Sequence, residues 1–114
     1  VKVINKTKNI VLAENASLAD TALSRLVGLL GRSAIAPSEA LIITHCRSIH
    51  MLFMKFPLDV IFVDKNNKVV GLVCNILPFR FSPYFFRAVA AIEIFPGTIA
   101  RTQIQMKDEI CFEE

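Results

Sequence analysis

The stretch Leu58-Asp59-Val60-Ile61-Phe62-Val63-Asp64 constrains the fold most, because it is apolar on both faces of an extended chain. Side chains of a strand alternate between faces, so such a segment must be central and covered on both sides, as in a sandwich or closed barrel. One residue breaks the pattern. Asp59 shares a face with Ile61 and Val63, where an unpartnered carboxylate would cost several kcal/mol. It must therefore be paired, or accept backbone hydrogen bonds near Pro57 at the strand entry, or face a wet pocket. Glu93 repeats the situation in Ala91-Ile92-Glu93-Ile94-Phe95, on a face with Ala91 and Phe95.

The run returns through Lys65-Asn66-Asn67 into Lys68-Val69-Val70-Gly71-Leu72-Val73-Cys74, which predicts a β-hairpin. A two-residue loop would set Lys65 opposite Lys68. A three-residue loop with Asn67 in the left-handed region sets Asp64 opposite Lys68, and opposite charges favour it. Val1 to Ile4 and Ile10 to Ala13 predict a second hairpin around polar residues 5–9, and Ala88 to Phe95, Thr98 to Ile104 and Glu109 to Phe112 predict further strands. Ser17-Leu18-Ala19-Asp20 has the form of a capping box, and Leu18, Ala22, Leu26 and Leu29 or Leu30 recur at helical spacing up to Gly31. This is the only helix expected. The chain thus reads as mainly β (α+β), an antiparallel β-sandwich or barrel-like domain with one α-helix near residues 17–30. Its 114 residues match one domain spanning 1–114, long enough to bury roughly two-thirds of the extended-chain surface.

A composition of 54% hydrophobic and 20% charged residues excludes intrinsic disorder. Nine Phe against one Tyr and no Trp favour a dry interior, and the high mean hydropathy points toward self-association. A net charge of +3, from 13 basic and 10 acidic residues scattered along the chain, argues only weakly for nucleic acid. No apolar run reaches the roughly 18 residues of a membrane span. The N-terminus has no secretory apolar core, although a start at Val1 leaves export before trimming open. Cys46, Cys74 and Cys111 form no Cys-x-x-Cys pair, which fits free thiols and a cytoplasmic location.

His45, Cys46 and His50 invite a metal or Cys–His reading. In an extended segment His45 points away from the other two, and Cys46 and His50 lie roughly 13 Å apart, beyond hydrogen-bond reach. No metal and no cofactor is therefore expected. Phe79, Phe81, Tyr84, Phe85 and Phe86 crowd around Arg80 and Arg87. Such a segment either folds over the core or contacts a second subunit or another protein, with Phe79, Phe81, Phe85 and Phe86 as the contact residues.

Residues 25–32 (Arg25-Leu26-Val27-Gly28-Leu29-Leu30-Gly31-Arg32), Cys46-Arg47-Ser48-Ile49-His50, the block from Phe53-Met54-Lys55-Phe56-Pro57-Leu58-Asp59 to Asp64, and Ile92-Glu93-Ile94-Phe95-Pro96-Gly97 together carry a resemblance. From about Ala19 to Ile110 the chain resembles the uncharacterised bacterial and archaeal family known as domain of unknown function 192. The resemblance implies a mainly β domain with one helix and implies no reaction. Its recurring polar positions fall on Arg25, His50, Lys55, Asp59 and Glu93, Lys55 being supplied by the resemblance alone. The chain departs from the family pattern at Met51, where Thr is usual, and at Lys107-Asp108, where Gly-Asp is usual.

The functional expectation is a small ligand- or protein-binding β domain with a polar pocket near His50, Asp59 and Glu93, joined by Arg25. The competing expectation is a metal-independent hydrolase with Asp59 or Glu93 as base and His50 as acid. Two of these groups converging in one open cleft would favour catalysis.

Overall fold

The computed structural model describes residues 1–19, 29, 32–52 and 54–114. Its elements are β1 (Lys2–Asn5), β2 (Ile10–Ala13), β3 (Asn15–Ala19), β4 (Glu39–Thr44), β5 (Leu58–Val63), β6 (Val69–Ile76), β7 (Ala90–Ile94), α1 (Thr98–Thr102) and β8 (Ile110–Glu113). They form a three-stranded sheet in the order β2-β1-β8 and a five-stranded sheet in the order β3-β4-β7-β5-β6. All pairings are antiparallel except the parallel one between β3 and β4. The architecture is mainly β and compact, and the described strands form two sheets with no closed barrel among them.

β5 is an interior strand, between β7 and the edge strand β6, and every residue in it is buried. Alternation sends Ile61 and Val63 to one face, where they meet Ile92, Ile94, Val3, Leu12, Ile99 and Ile110 beneath the small sheet and α1. Val60 and Phe62 point the other way, against Leu41, Ile43, Ile49, Met51, Met54 and Phe56. Both faces of the large sheet are thus covered, which is why β5 carries no amphipathic signature.

The β5–β6 hairpin has the three-residue loop, with Asn67 at φ 60° and Val63 paired to Val69. The physical cause differs from charge pairing across the strands. Asp64 Oδ1 accepts the backbone N–H groups of Asn66 and Lys68, both at 2.9 Å, while Lys68 Nζ reaches Glu109 at 3.3 Å.

Two expectations are corrected. Ser17, Leu18 and Ala19 do not open a helix; they extend β3, in parallel register with Leu41, Ile42 and Ile43. The remainder of the expected helix lies outside the described residues apart from Leu29, which is helical and buried. The segment from Thr98 begins with a helix instead of a strand, because Gly97 at φ 93° turns the chain and Gln103 at φ 56° ends the helix a turn later. Their β-branched residues had favoured a strand; burial of Thr98, Ile99 and Thr102 against the sheet overrides that preference.

The small sheet is tied down by a polar cluster under its first hairpin. Asp108 Oδ2 accepts from Lys8 Nζ at 2.6 Å, Asn5 Nδ2 at 2.9 Å and the Gln105 amide at 2.9 Å. Burial alone would push the Asp108 carboxyl upward, but the hydrogen bonds from Lys8, Gln105 and Asn5 outweigh it and hold it below the ordinary carboxylate range. An acid held down in the folded state stabilises the fold fully above its unfolded value and loses that contribution as pH falls through the folded value. Urea midpoints should accordingly drop below about pH 4 in the parent. Asp108→Asn should be about 1 kcal/mol less stable at neutral pH, with a flatter acid limb.

Candidate functional site

Asp59 stands at the start of β5, beside a register shift between Leu58 and Val60, and is 1% exposed. Its Oδ1 accepts the Asn75 amide at 2.8 Å, and its Oδ2 accepts those of Ile99 at 2.9 Å and Gly97 at 3.1 Å. The donors are all backbone groups. Gly97 is the N-cap of α1 and has no side chain with which to satisfy the first turn, so the Asp59 carboxylate performs that service from a distant strand. Of the cations implied as partners, Lys55 is exposed and Arg25 lies outside the described residues.

Glu93 is fully buried and is not left without a partner. In the ladder it sits between Leu41 and Val60, whereas Asp59 is opposite Ile94. Neighbouring residues on a strand point to opposite faces, so the five-stranded sheet itself separates the two carboxylates. No single pocket holds both. His50 is exposed and bridges to Phe81. The expected set of Arg25, His50, Lys55, Asp59 and Glu93 is therefore not gathered into one site: Asp59 and Glu93 occupy opposite cores, His50 and Lys55 face solvent, and Arg25 is not described.

The solvent-facing chemistry lies instead where residues 45–51 run alongside residues 79–89. Their backbones are joined by His45 N–H to Val89 O at 2.7 Å, Phe85 N–H to Arg47 O at 2.8 Å, Ser82 N–H to Ile49 O at 2.9 Å and Met51 N–H to Arg80 O at 2.8 Å. The first segment is not a strand at Cys46, as an extended reading required; His45 takes φ 53° and the Cys46 thiol turns back to Ser48 O at 3.1 Å. Among the described residues no three His, Cys, Asp or Glu side chains converge on a metal position.

The aromatic residues divide into two kinds. Phe85 packs on Phe62 with ring centroids 4.5 Å apart and lies over Gly71, where a Cβ would come within 2.5 Å of its ring. It is part of the core cover and not an exposed contact residue. Phe79, Phe81, Tyr84 and Phe86 are 61%, 68%, 53% and 82% exposed, and Leu77 and Val89 extend the apolar surface on either side. Tyr84 and Phe86 meet edge to face at 4.9 Å. The cleft between the two segments was not legible beforehand, since it depends on the bend at His45. Gly71 within a strand was the available sign that a ring approaches there.

Comparison with known proteins agrees with this architecture. The family described as Uncharacterized ACR, domain of unknown function 192, matches over residues 3–112. A UPF0127 protein of Thermococcus sibiricus is 36% identical over 117 residues, covering 96% of this chain and 73% of its own. The crystal structure of a protein of unknown function from Novosphingobium aromaticivorans superposes with a TM-score of 0.83 at 26% identity, over 98% of this chain and 84% of that one. A Sinorhizobium meliloti structure shares the fold, with a TM-score of 0.77 at 18% identity over 96% of this chain and 89% of its own.

Removing the Asp59 carboxylate would leave three backbone donors without their acceptor, that of Ile99 in a buried position. Asp59→Ala should cost about 2 to 4 kcal/mol in urea denaturation, and Asp59→Asn less, because one oxygen still accepts. A midpoint for Asp59→Ala equal to that of the parent would show that the carboxylate is dispensable.

Proposed function

We propose a protein-binding role for this chain, which belongs to the uncharacterised family known as domain of unknown function 192, with the exposed rings of Phe79, Phe81, Tyr84 and Phe86 as the docking surface. One observation carries the reading: rings that could have been buried stand in water on a backbone pinned to the core by Phe85. With about 150–250 Å² for each full ring, the exposed portions amount to on the order of 500 Å², comparable with the largest patch on a typical monomer and most of one side of a standard interface. The burial of Asp59 and Glu93, against the exposure of His50, weighs against the hydrolase alternative, because its base and acid would have to meet in one open cleft.

Charge selects the partner. Residues 77–89 contain Arg80 and Arg87 and no acidic residue, and among the described residues neither arginine has an acidic partner. A second copy docked about a two-fold axis here would bring arginines together, whereas a partner with Asp or Glu beside apolar side chains would gain. Nucleic acid is less favoured, since phosphate contacts would rest on few basic groups. No helix among the described residues is long and apolar enough to cross a membrane. Three cysteines with no disulfide between them support a cytoplasmic location.

Selection of displayed peptides against the full chain, paired with sedimentation, tests the reading. Enriched peptides should combine acidic and apolar residues, and Phe81→Ser with Phe86→Ser should weaken them by more than about tenfold while leaving the urea midpoint in place. A concentration-dependent dimer that Phe86→Asp converts to folded monomer would make the partner a second copy. Peptides indifferent to both serine changes would remove the aromatic surface from the function.

A further inference from the structure

The bend at His45 opens a cleft of about 410 Å³ between the two segments, a volume within the range of small-molecule sites. Its polar lining is His45, Arg47, Ser48 and Tyr84, and Ala88 and Val89 supply an apolar wall. These side chains offer an imidazole, a guanidinium and two hydroxyls beside the Cys46 thiol, and among the described residues none that is acidic lines the space. Arg47 is exposed and has no acidic partner among the described residues, so its charge is available to a ligand.

The cleft is also built rigidly. His45 is a non-glycine residue in the left-handed region, and the hydrogen bond from its amide to Val89 O at 2.7 Å holds it there. The Arg47 carbonyl is fixed by the Phe85 amide, and Phe85 is itself packed on Phe62. Ser82 Oγ accepts the Ile49 amide at 2.8 Å, closing the loop behind the cleft. Positions held this way lose little freedom when a ligand arrives.

From this geometry we infer a binding site for a small oxyanion with an apolar body, a carboxylate or phosphate monoester whose charged end meets Arg47 and His45 and whose body lies against Tyr84, Ala88 and Val89. The planar guanidinium suits a carboxylate or phosphate because it can donate two parallel hydrogen bonds. The volume exceeds what a bare inorganic anion fills, and the apolar wall gives the rest of the ligand a reason to be there. The site shares Tyr84 with the proposed protein-docking surface and Val89 with that surface's apolar margin, and its charged end rests on different residues.

Amide shifts of the full chain titrated with phenyl phosphate, benzoate, inorganic phosphate and benzyl alcohol test this directly. Phenyl phosphate, benzoate or both should give saturable shifts at His45, Arg47, Ser48 and Val89 in the millimolar range or tighter. Inorganic phosphate, lacking the apolar body, and benzyl alcohol, lacking the charge, should each bind at least about tenfold more weakly. Saturation by phenyl phosphate alone assigns a phosphate monoester, by benzoate alone a carboxylate. Arg47→Gln should weaken the preferred anion by about tenfold or more, whereas Arg101→Gln, which removes the same charge elsewhere, should leave it unchanged. The spectrum of each variant away from the substitution reports that it is folded. No saturable shift at these amides with either organic anion, equal binding by benzyl alcohol, or equal loss in both variants would overturn the assignment. The peptide and sedimentation results for the aromatic surface can fail or succeed independently of these.

Discussion

A carboxylate removed from water is tolerated only where other donors replace the solvent, and in this fold three backbone amides do so for Asp59. The three come from the far end of β6, from the turn after β7 and from the first turn of α1. One side chain thereby fixes how the interior strand β5, its edge neighbour β6 and the helix beneath the sheet meet. The alternative of an apolar residue at position 59 would leave the Gly97 and Ile99 amides without that acceptor, since Gly97 brings no capping side chain of its own. The Phe-Pro-Leu-Asp block is therefore an architectural device: Leu58 fills one core while Asp59, next to it, organises the other.

That assignment shapes the functional account. A buried acid in an uncharacterised chain attracts a catalytic reading, and here it is satisfied by the backbone and screened from Glu93 by the sheet. The surface that remains chemically available is at the loop end, where a guanidinium, an imidazole and several aromatic rings face solvent on segments fastened to each other and to the core. Rigid presentation of exposed apolar and cationic groups is the physics of recognition.

Much of the fold was legible because burial on both faces leaves a plain mark on a strand. Leu58–Val63, the N-terminal hairpin and the turn at Asn67 all follow from alternation and from the conformational tolerance of Asn. The Asp64 register was correctly anticipated for a different reason: its carboxylate bonds the turn amides, and Lys68 turns to Glu109. Ser17-Leu18-Ala19-Asp20 misled because a capping-box spacing says nothing about a parallel partner such as β4 supplied from more than twenty residues away. Asp59 and Glu93 looked alike in sequence, each a lone acid in an apolar run. Only register, one residue apart across the β5–β7 ladder, assigns them to opposite faces. Among the aromatics, composition could not separate the buried Phe85 from its exposed neighbours, since the distinction rests on a space made by Gly71 in another strand.

Native-state hydrogen exchange at the amides of Asn75, Gly97 and Ile99 bears most directly on the claim that Asp59 holds these elements together. All three should exchange only through opening events whose free energy approaches that of global unfolding, although Asn75, near the end of edge strand β6, and Gly97, in a turn, are exposed residues whose amides would ordinarily exchange fast. Exchange of Asn75 and Gly97 at the rate of an unprotected loop, with Ile99 alone protected by the helix, would contradict the account.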